Sequence, residues 1–360
     1  MPLDARQPRP RPPGQRAPAA EGGADPLRLL IATDAWAPQV NGVVRTLSTV
    51  SALLRARGDA VEVAGPDRFR TVPAPGYPEI RLAVLPRPAL ARAADAFAPT
   101  AVHIATEGPI GWAMRAVCRA RGWPFTTSFH TKFPEYLRAR AGIPPGFAWA
   151  ALRRFHEGGD GTFAATPSLR EELARRGFTK VREWTRGVDL DLFRPEPRDP
   201  WAGLPRPVFL YAGRVAVEKN IEAFLRLDLP GSKVVVGDGP QRRALQARFP
   251  AARFAGWRSG AELAAAYAGA DAVVFPSRTD TFGLVILEAL ACGTPVAAFP
   301  VTGPLDVIGG SGAGALDEDL GRAALAALRC DRAHCRAHAE RFSWAACAEA
   351  FRRQLVPVHG

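Results

Sequence analysis

The sequence lacks the features that mark membrane-spanning and secreted proteins. No stretch reaches the length of about 18 apolar residues that a transmembrane helix needs. Residues 1–26 carry several Arg and Pro but not the apolar core of a signal peptide, and we interpret them as a flexible tail. We therefore expect a cytoplasmic location, and leave open a peripheral attachment to the inner face of the plasma membrane.

Cysteine is scarce and is not arranged in pairs. The five Cys residues form no CxxC motif. Cys330 and Cys335 lie near His334 and His338, and such a group can hold zinc, but no second Cys pair accompanies it and the segment has the pattern of an amphipathic helix. We therefore expect reduced thiols and no metal site.

Acidic residues are in deficit, and the deficit is concentrated in one half of the chain. The formal net charge is +12. Residues 1–198 carry 29 basic against 19 acidic residues, whereas residues 199–360 carry 18 against 16. Such asymmetry indicates a polyanionic partner for the first half, whether anionic lipid, a phosphorylated acceptor or nucleic acid. The alternative is a bias of genome composition, since only four of the 47 basic residues are Lys.

Short apolar runs alternate with helical patterns along the 360 residues, a length that allows two domains. Leu27–Thr33 is typical, because an unbroken apolar run suits a parallel strand buried on both faces. Five prolines between residues 194 and 207 interrupt the alternation, which restarts with a predicted strand at Val208–Ala212. The pattern predicts an α/β protein with two Rossmann-like domains and ligands in an interdomain cleft. The predicted segments are a tail at 1–26, a first domain at 27–196, a second domain at 197–340 and a terminal helix at 341–360.

Two loops of the second domain lie between a predicted strand and a predicted helix. Gly213–Asn220 carries Arg214 and Lys219 beside a helix start, and two cations with free N–H groups suit a diphosphate without a metal. The alternative is a pair of solvated basic residues. In Val236–Pro240, Gly237 permits close approach of a ligand, although a plain tight turn has the same sequence.

The third loop, Pro276–Pro295, is the most informative. Asp280 can accept hydrogen bonds from sugar hydroxyls, and Glu288, eight residues later, can reach vicinal hydroxyls such as those of a ribose. The N–H groups around Gly283 can hold a phosphate at a helix start. Taken singly, Asp280 is equally typical of a helix cap and Glu288 of a surface charge.

In order and spacing, these loops resemble the retaining glycosyltransferases of family GT4. That family has the two-domain GT-B fold and includes bacterial GDP-mannose-dependent mannosyltransferases and sulfolipid synthases. The resemblance covers the chain from about residue 28 to its end. The matching pieces are Pro38–Val43, Phe129–Thr131, Arg186–Asp189, Gly213-Arg214, Glu218–Asn220, Gly237–Pro240 and the Asp280/Glu288 element.

The resemblance implies roles for residues on both sides of the cleft. Arg214 and Lys219 hold the donor diphosphate. Asp280 contacts the donor sugar and Glu288 the ribose, while His130 of the first domain approaches the sugar and the acceptor. The remaining donor-binding residues are Asn41 and Gly42, under the pyrophosphate, and Gly213, Gly237, Thr281, Phe282, Gly283 and Leu284. A metal is not required, and the terminal helix crosses back to the first domain.

Two departures from the family pattern bear on substrate choice. The first of the paired acids is commonly Glu, and here it is Asp280, which shortens its reach and leaves the donor sugar open. The loop that is often Gly-Gly is Asn41-Gly42, a variant of the mannosyl- and sulfoquinovosyl-transferring members. Asp189-Leu-Asp191 has the form of a DxD metal motif, but it lies where the family has a structural turn.

Histidines in the first domain call for separate interpretations. We predict a functional role for His130, at a strand end facing the cleft, and a packed, hydrogen-bonded position for His103. Glu107 is a weaker site candidate. The basic and aromatic segment from Phe133 to His156 suits either a membrane interface or an ordinary helix packed on its sheet.

The resulting prediction is a hexosyltransferase that moves a mannosyl group from GDP-mannose to a lipid or glycolipid acceptor. A transferase dependent on a UDP-sugar (glucose, a uronic acid or sulfoquinovose) is the alternative, followed by a sugar-nucleotide epimerase or hydrolase. A basic nucleic-acid-binding protein is the non-enzymatic alternative, but the sequence contains no motif of that class and we expect no nucleic-acid partner.

Overall fold

The computed structural model of the chain describes residues 26–74, 77–135, 145–197 and 199–358. Its first domain is built on a parallel sheet of six strands and also contains a two-stranded antiparallel hairpin. The strands are β1 (Arg28–Ala32), β2 (Ala60–Ala64), β3 (Thr71–Ala74), β4 (Tyr77–Ala83), β5 (Ala101–Ile104), β6 (Thr126–Phe129), β7 (Gly161–Ala164) and β8 (Val181–Glu183). The helices are α1 (Gly42–Ala56), α2 (Arg87–Phe97), α3 (Pro109–Arg121), α4 (Pro145–His156) and α5 (Pro167–Arg175). The six sheet strands lie in the order β2-β1-β5-β6-β7-β8.

The second domain repeats this architecture with a second parallel sheet. Its strands are β9 (Val208–Ala212), β10 (Ser232–Val236), β11 (Arg253–Gly256), β12 (Ala272–Phe275), β13 (Val296–Ala298) and β14 (Gly314–Leu316), in the order β11-β10-β9-β12-β13-β14. Its helices are α6 (Ile221–Leu225), α7 (Arg242–Arg248), α8 (Gly260–Ala268), α9 (Leu284–Ala291), α10 (Pro304–Val307), α11 (Leu320–Ala327) and α12 (Arg332–Ala339); α13 (Trp344–Gln354) follows. The predicted α/β architecture of two Rossmann-like domains is confirmed.

Alternate side chains of the central strands enter opposite faces of each sheet. In β9, Val208 and Leu210 join one apolar cluster, while Phe209 and Tyr211 join another. All five residues of β9 are buried, which is why the strand has no polar alternation in its sequence. Helices therefore cover both faces, and ligands reach each sheet from its edges or ends.

The terminal helix packs on the first domain, as predicted. Cys347 and Phe351 of α13 lie in one apolar cluster with Leu47 and Val50 of α1. The Trp184 indole N–H donates to the Cys347 carbonyl over 3.1 Å. The chain therefore enters the second domain and ends on the first.

Several short elements were missed by the sequence patterns. β8 and β11 are edge strands that contain charged residues, so their apolar runs are too short to stand out. β7, β14 and the β3–β4 hairpin were also not predicted. The Pro-rich stretch is packed against the second domain, because Trp201 is buried and its indole N–H donates to the Ala266 carbonyl over 2.9 Å.

Parts of two predictions lie outside the described residues. They are the predicted tail, except for its last residue, and the centre of the basic, aromatic segment at 136–144, with Tyr136, Arg138, Arg140 and Ile143. The remainder of that segment includes helix α4.

Candidate active site

The two domains meet where the strands of both sheets end. The Thr281 hydroxyl, in the loop after β12, donates to the His130 carbonyl, after β6, over 2.7 Å. At the start of α1, a Cβ atom on Gly42 would lie 3.5 Å from the Leu284 side chain at the start of α9. The structure thus brings two helix N-termini, one from each domain, to the same place in the cleft.

Lys219 and Asp280 form an ion pair on the second domain's side of this cleft. Lys219 Nζ lies 2.5 Å from Asp280 Oδ1, and both side chains are largely buried. Asn220 joins the loop that carries Lys219 to the loop that carries Asp280, since its side-chain amide donates to the Pro276 carbonyl over 3.0 Å. Asp280 Oδ2 is buried without a hydrogen-bond partner among the described residues, so this oxygen has unused capacity to accept a hydrogen bond.

The loop after Asp280 ends in a conformation that requires glycine. Gly283 has a φ of +85°, and a Cβ atom there would lie 2.9 Å from the Ile286 side chain and 3.1 Å from Phe275. α9 begins at the next residue, so its first N–H groups are unpaired within the helix and its positive end faces the cleft. Thr281, Phe282, Gly283 and Leu284 thus lie together at one helix start.

Gly213 and Gly237 hold two loops of the second domain together. Gly237 has a φ of +139°, and a Cβ atom there would lie 1.8 Å from the Gly213 carbonyl oxygen. This contact accounts for Gly237 without any ligand. Gly213 is also where the chain turns out of β9 toward Arg214, whose carbonyl accepts a 2.7 Å hydrogen bond from the Tyr211 hydroxyl.

The His130 side chain is half-buried and held in one tautomer. Arg186 donates to its Nδ1 over 3.3 Å, and its Nε2 has no hydrogen-bond partner among the described residues. Burial, followed by the charge of Arg186, keeps the pKa of His130 well below its usual value. A neutral ring that accepts at Nδ1 carries its proton on Nε2, so His130 offers an N–H donor.

Arg186 is a residue that the sequence motifs included without a role. Its guanidinium donates to the carbonyls of Trp184 and Thr185 and lies 4.2 Å from the centre of the Trp184 ring. Burial lowers the pKa of Arg186 to about 10, so it remains a cation near neutral pH. Its fixed position sets the His130 tautomer.

Glu288 is a buried carboxylate that both domains contact. The Tyr267 hydroxyl donates to Oε2 over 2.9 Å, and Arg45 of the first domain is ion-paired with Oε1. Burial raises the pKa of Glu288, although Arg45 and Tyr267 act in the opposite direction. The alternative interpretation of Glu288 as a surface charge is therefore wrong. Arg45 and Tyr267 are partners that no motif indicated.

Comparison with known proteins assigns the chain to a family. Residues 40–192 match the family described as Glycosyltransferase Family 4, and residues 206–330 match Glycosyl transferases group 1. A GDP-mannose-dependent alpha-mannosyltransferase of Mycobacterium tuberculosis is 33% identical over 308 residues, which cover 78% of this chain and 81% of that protein. The chain belongs to glycosyltransferase family 4. It is an enzyme that transfers a hexosyl group.

Other similar proteins support the assignment of the chain to a family of glycosyltransferases. The sulfoquinovosyl transferase SQD2 of Arabidopsis thaliana is 29% identical over 300 residues, 75% of this chain and 58% of that protein. A sucrose-phosphate synthase of Thermosynechococcus elongatus has the same fold, with a TM-score of 0.71 and 22% identity over 90% of this chain and 97% of that one. The predicted GT-B architecture is thereby confirmed.

On the first-domain side of the transferase, Asn41 is a helix cap. Its side-chain oxygen accepts from the N–H groups of Val43 and Val44, each over 3.0 Å. A capping oxygen used in this way explains Asn at this position without a ligand. Gly42, by contrast, is the residue that faces α9 of the other domain.

The packed position predicted for His103 is confirmed. Its ring nitrogens contact the hydroxyls of Thr126 and Ser128, each over 2.9 Å, and burial lowers its pKa to about 3. Glu107 is paired with His156 Nε2 over 3.0 Å, inside the first domain.

The motifs that suggested a metal have other contacts in the transferase. Asp189 Oδ1 accepts from the N–H groups of Asp191 and Leu192, which makes the DxD-like element a turn. His334 and His338 contact separate backbone carbonyls, over 2.6 and 2.7 Å. Within the described ranges, no group of three or more His, Cys, Asp or Glu side chains is placed to hold a metal ion. None of the helices in these ranges combines the length and apolarity needed to cross a membrane.

Proposed function

We propose that this glycosyltransferase moves a mannosyl group from GDP-mannose to a lipid or glycolipid acceptor, with retention of anomeric configuration and without a metal cofactor. The observation that carries the proposal is the Lys219–Asp280 pair beside the start of α9, with His130 opposite. A cation and a helix N-terminus suit a diphosphate, and a free carboxylate oxygen suits a sugar hydroxyl.

In the proposed reaction the chain's own residues stabilise the leaving group. As the bond between the anomeric carbon and the diphosphate oxygen breaks, Lys219, Arg214 and the α9 N–H groups offset the growing negative charge. The acceptor hydroxyl attacks from the same face and passes its proton to the departing phosphate. The proposal assigns Asp280 to the hydroxyls of the donor sugar and not to its anomeric carbon, so the front-face route needs no covalent intermediate.

GDP-mannose is the proposed donor because of the named relatives. Three proteins called GDP-mannose-dependent alpha-mannosyltransferase, from Mycobacterium tuberculosis, Mycolicibacterium smegmatis and Corynebacterium glutamicum, are 28–34% identical over more than three quarters of this chain. The sulfoquinovosyl transferase SQD2 supports the alternative of a sulfoquinovose donor.

A lipid acceptor is supported by the surface of the first domain. A cavity of about 510 Å³ between α3 and α4 is lined by Trp112, Arg115, Ala150, Ala151 and Arg154. Phe147 on α4 is 86% exposed, and Trp112 is 38% exposed. Exposed aromatic rings beside Arg side chains suit an anionic lipid interface, and we propose peripheral attachment through this face.

The proposed attachment predicts the behaviour of one exposed side chain. Phe147→Asp should reduce recovery of the enzyme with anionic liposomes about fivefold or more, because it replaces a ring that enters the interface with a like charge. Flotation of wild type and variant measures this, with Val72→Asp on the β3–β4 hairpin as a control at another exposed apolar side chain. No recovery of wild type with anionic liposomes would contradict the attachment.

The transfer itself is tested by product analysis. Purified enzyme is incubated with GDP-mannose, UDP-glucose or UDP-sulfoquinovose and a membrane lipid extract, and the anomeric configuration of the product is read by NMR. A mannosylated lipid with the donor's α-configuration, formed with a chelator present, is the expected result. Inversion would contradict the mechanism, and conversion of the donor without any acceptor would favour an epimerase or hydrolase.

A further inference from the structure

Arg45 is a first-domain cation that reaches into the second domain. It lies in the first turn of α1, three residues after Gly42 and four after the Asn41 cap. Its guanidinium is ion-paired with Glu288 Oε1 and lies 5.2 Å from the centre of the Phe193 ring, which belongs to the core cluster of the second domain. No motif of the sequence assigned it a role.

The carboxylate that Arg45 contacts is more deeply buried than Arg45 itself. Glu288 retains 5% of its side-chain exposure, against 37% for Arg45. A buried carboxylate needs compensation for its lost hydration, and Glu288 receives it from one group on each side of the cleft, Arg45 and the Tyr267 hydroxyl. Each carboxylate oxygen has one partner and can accept a further hydrogen bond.

The same cleft has a second set of contacts, between α10 and α5. The carboxylate of Asp306, on α10, accepts from both the N–H group and the hydroxyl of Ser168 at the start of α5. The domains are therefore held together at the Asp306–Ser168, Thr281–His130 and Glu288–Arg45 contacts. The last of these joins the first domain to Glu288, the carboxylate that the family resemblance assigns to the ribose.

We infer that Arg45 is a positioning residue that orients the Glu288 carboxylate for the donor's ribose hydroxyls and, because it belongs to the other domain, couples nucleoside binding to closure of the cleft. The inference rests on the proposed nucleotide-sugar function. Arg45 acts through Glu288 and takes no part in bond making.

The test uses GDP and UDP as probes of the full-length enzyme. Arg45→Gln removes the charge, Arg45→Lys retains it, and Arg57→Gln is the control, because Arg57 follows the same helix and pairs with Glu349 on the surface. Dissociation constants come from calorimetry, KM and kcat from the transferase assay, and the melting temperature checks folding. Arg45→Gln should weaken nucleotide binding and raise the donor KM about tenfold or more, as for truncation of a partner in a buried charge pair.

A conservative variant and a double-mutant cycle separate positioning from a structural role. Arg45→Lys should recover most of the affinity, and Arg57→Gln should match wild type. Because Arg45 acts through Glu288, the double variant Arg45→Gln/Glu288→Gln should bind nucleotide no more weakly than Glu288→Gln alone. Additive losses would overturn the inference. Unchanged nucleotide binding by Arg45→Gln would also overturn the inference. Tighter binding would overturn it too, because it would mean that Arg45 competes with the ribose for Glu288.

The results for the wild-type enzyme distinguish a failure of the proposed function from a failure of the inference about Arg45. Wild type that binds neither nucleotide would remove the proposed function and this inference with it. Wild type that binds nucleotide and transfers sugar, beside an Arg45→Gln variant with unchanged constants, would overturn the inference alone.

Discussion

Replacement of Lys219 by Ala is the perturbation that follows most directly from the geometry. The Lys219 ammonium lies 2.5 Å from Asp280, with side-chain exposures of 24% and 17%. The variant therefore removes one cation from the proposed diphosphate site and leaves Asp280 without its charged partner. The second effect lowers the free energy of unfolding by about 1–3 kcal/mol. This is small enough for a folded protein to remain at 25 °C.

The effect on catalysis should be larger. A preorganised charge that stabilises a transition state contributes about 10²–10³ to turnover, or about 2.7–4 kcal/mol. We expect kcat of Lys219→Ala to fall by that factor in a transfer assay run well below its melting temperature. Lys180→Ala is the matched control, because Lys180 lies 3.7 Å from Asp160 in an exposed pair of the first domain and should change kcat less than about twofold.

Two results would refute this reasoning. Near-wild-type turnover of Lys219→Ala would mean that the diphosphate is held elsewhere. A raised donor KM with unchanged kcat would mean that Lys219 binds the ground state and the transition state equally, and so does not assist departure of the leaving group.

Two further predictions concern the fold that holds the site. Gly237→Ala should lower the free energy of unfolding by about 3 kcal/mol or more, because its Cβ atom would meet the Gly213 carbonyl oxygen at 1.8 Å. The control is Gly260→Ala, because Gly260 also has a positive φ but its Cβ atom would have no neighbour within 4 Å. Equal melting temperatures of the two variants would contradict the prediction. His103 has a folded-state pKa of about 3, below its unfolded value near 6.5, so its contribution to stability is complete above pH 6.5 and is lost as the pH falls toward 3. Urea denaturation at pH 7.5 and 5.0 should show a loss that is smaller in His103→Gln, and identical losses would be the contrary result.

The sequence patterns located the central strands well because burial leaves a plain signature. The bounds of Val208–Ala212 and Ala272–Phe275 agree with the structure residue for residue, since every side chain of these strands is buried. Edge strands such as Arg253–Gly256 were missed because one side faces solvent and charged residues interrupt the apolar run. A fully buried strand can thus be recognised from its local composition, whereas a partly exposed strand cannot.

The partners of the proposed site residues were much harder to predict. Glu288 is paired with Arg45, 243 positions earlier, and the contact exists only because two domains meet. A free carboxylate and a paired one look alike in a sequence. The sequence allows either a ligand site or a plain tight turn at Gly237, and only the structure shows its close contact with the Gly213 backbone. The periodicity of apolar residues does not indicate such long-range contacts, because it reflects the burial of a single helix or strand.

A thermal-shift screen of the wild-type enzyme with GDP, UDP, ADP and their common sugar conjugates addresses the nucleotide-sugar site most directly. A ligand that binds only the folded state raises the melting temperature in proportion to its affinity. Selective stabilisation by GDP and GDP-mannose is the predicted result, and stabilisation by UDP conjugates instead would retain the site but change the donor. No stabilisation by any nucleotide diphosphate would contradict the placement of a donor between Lys219, Asp280 and the start of α9.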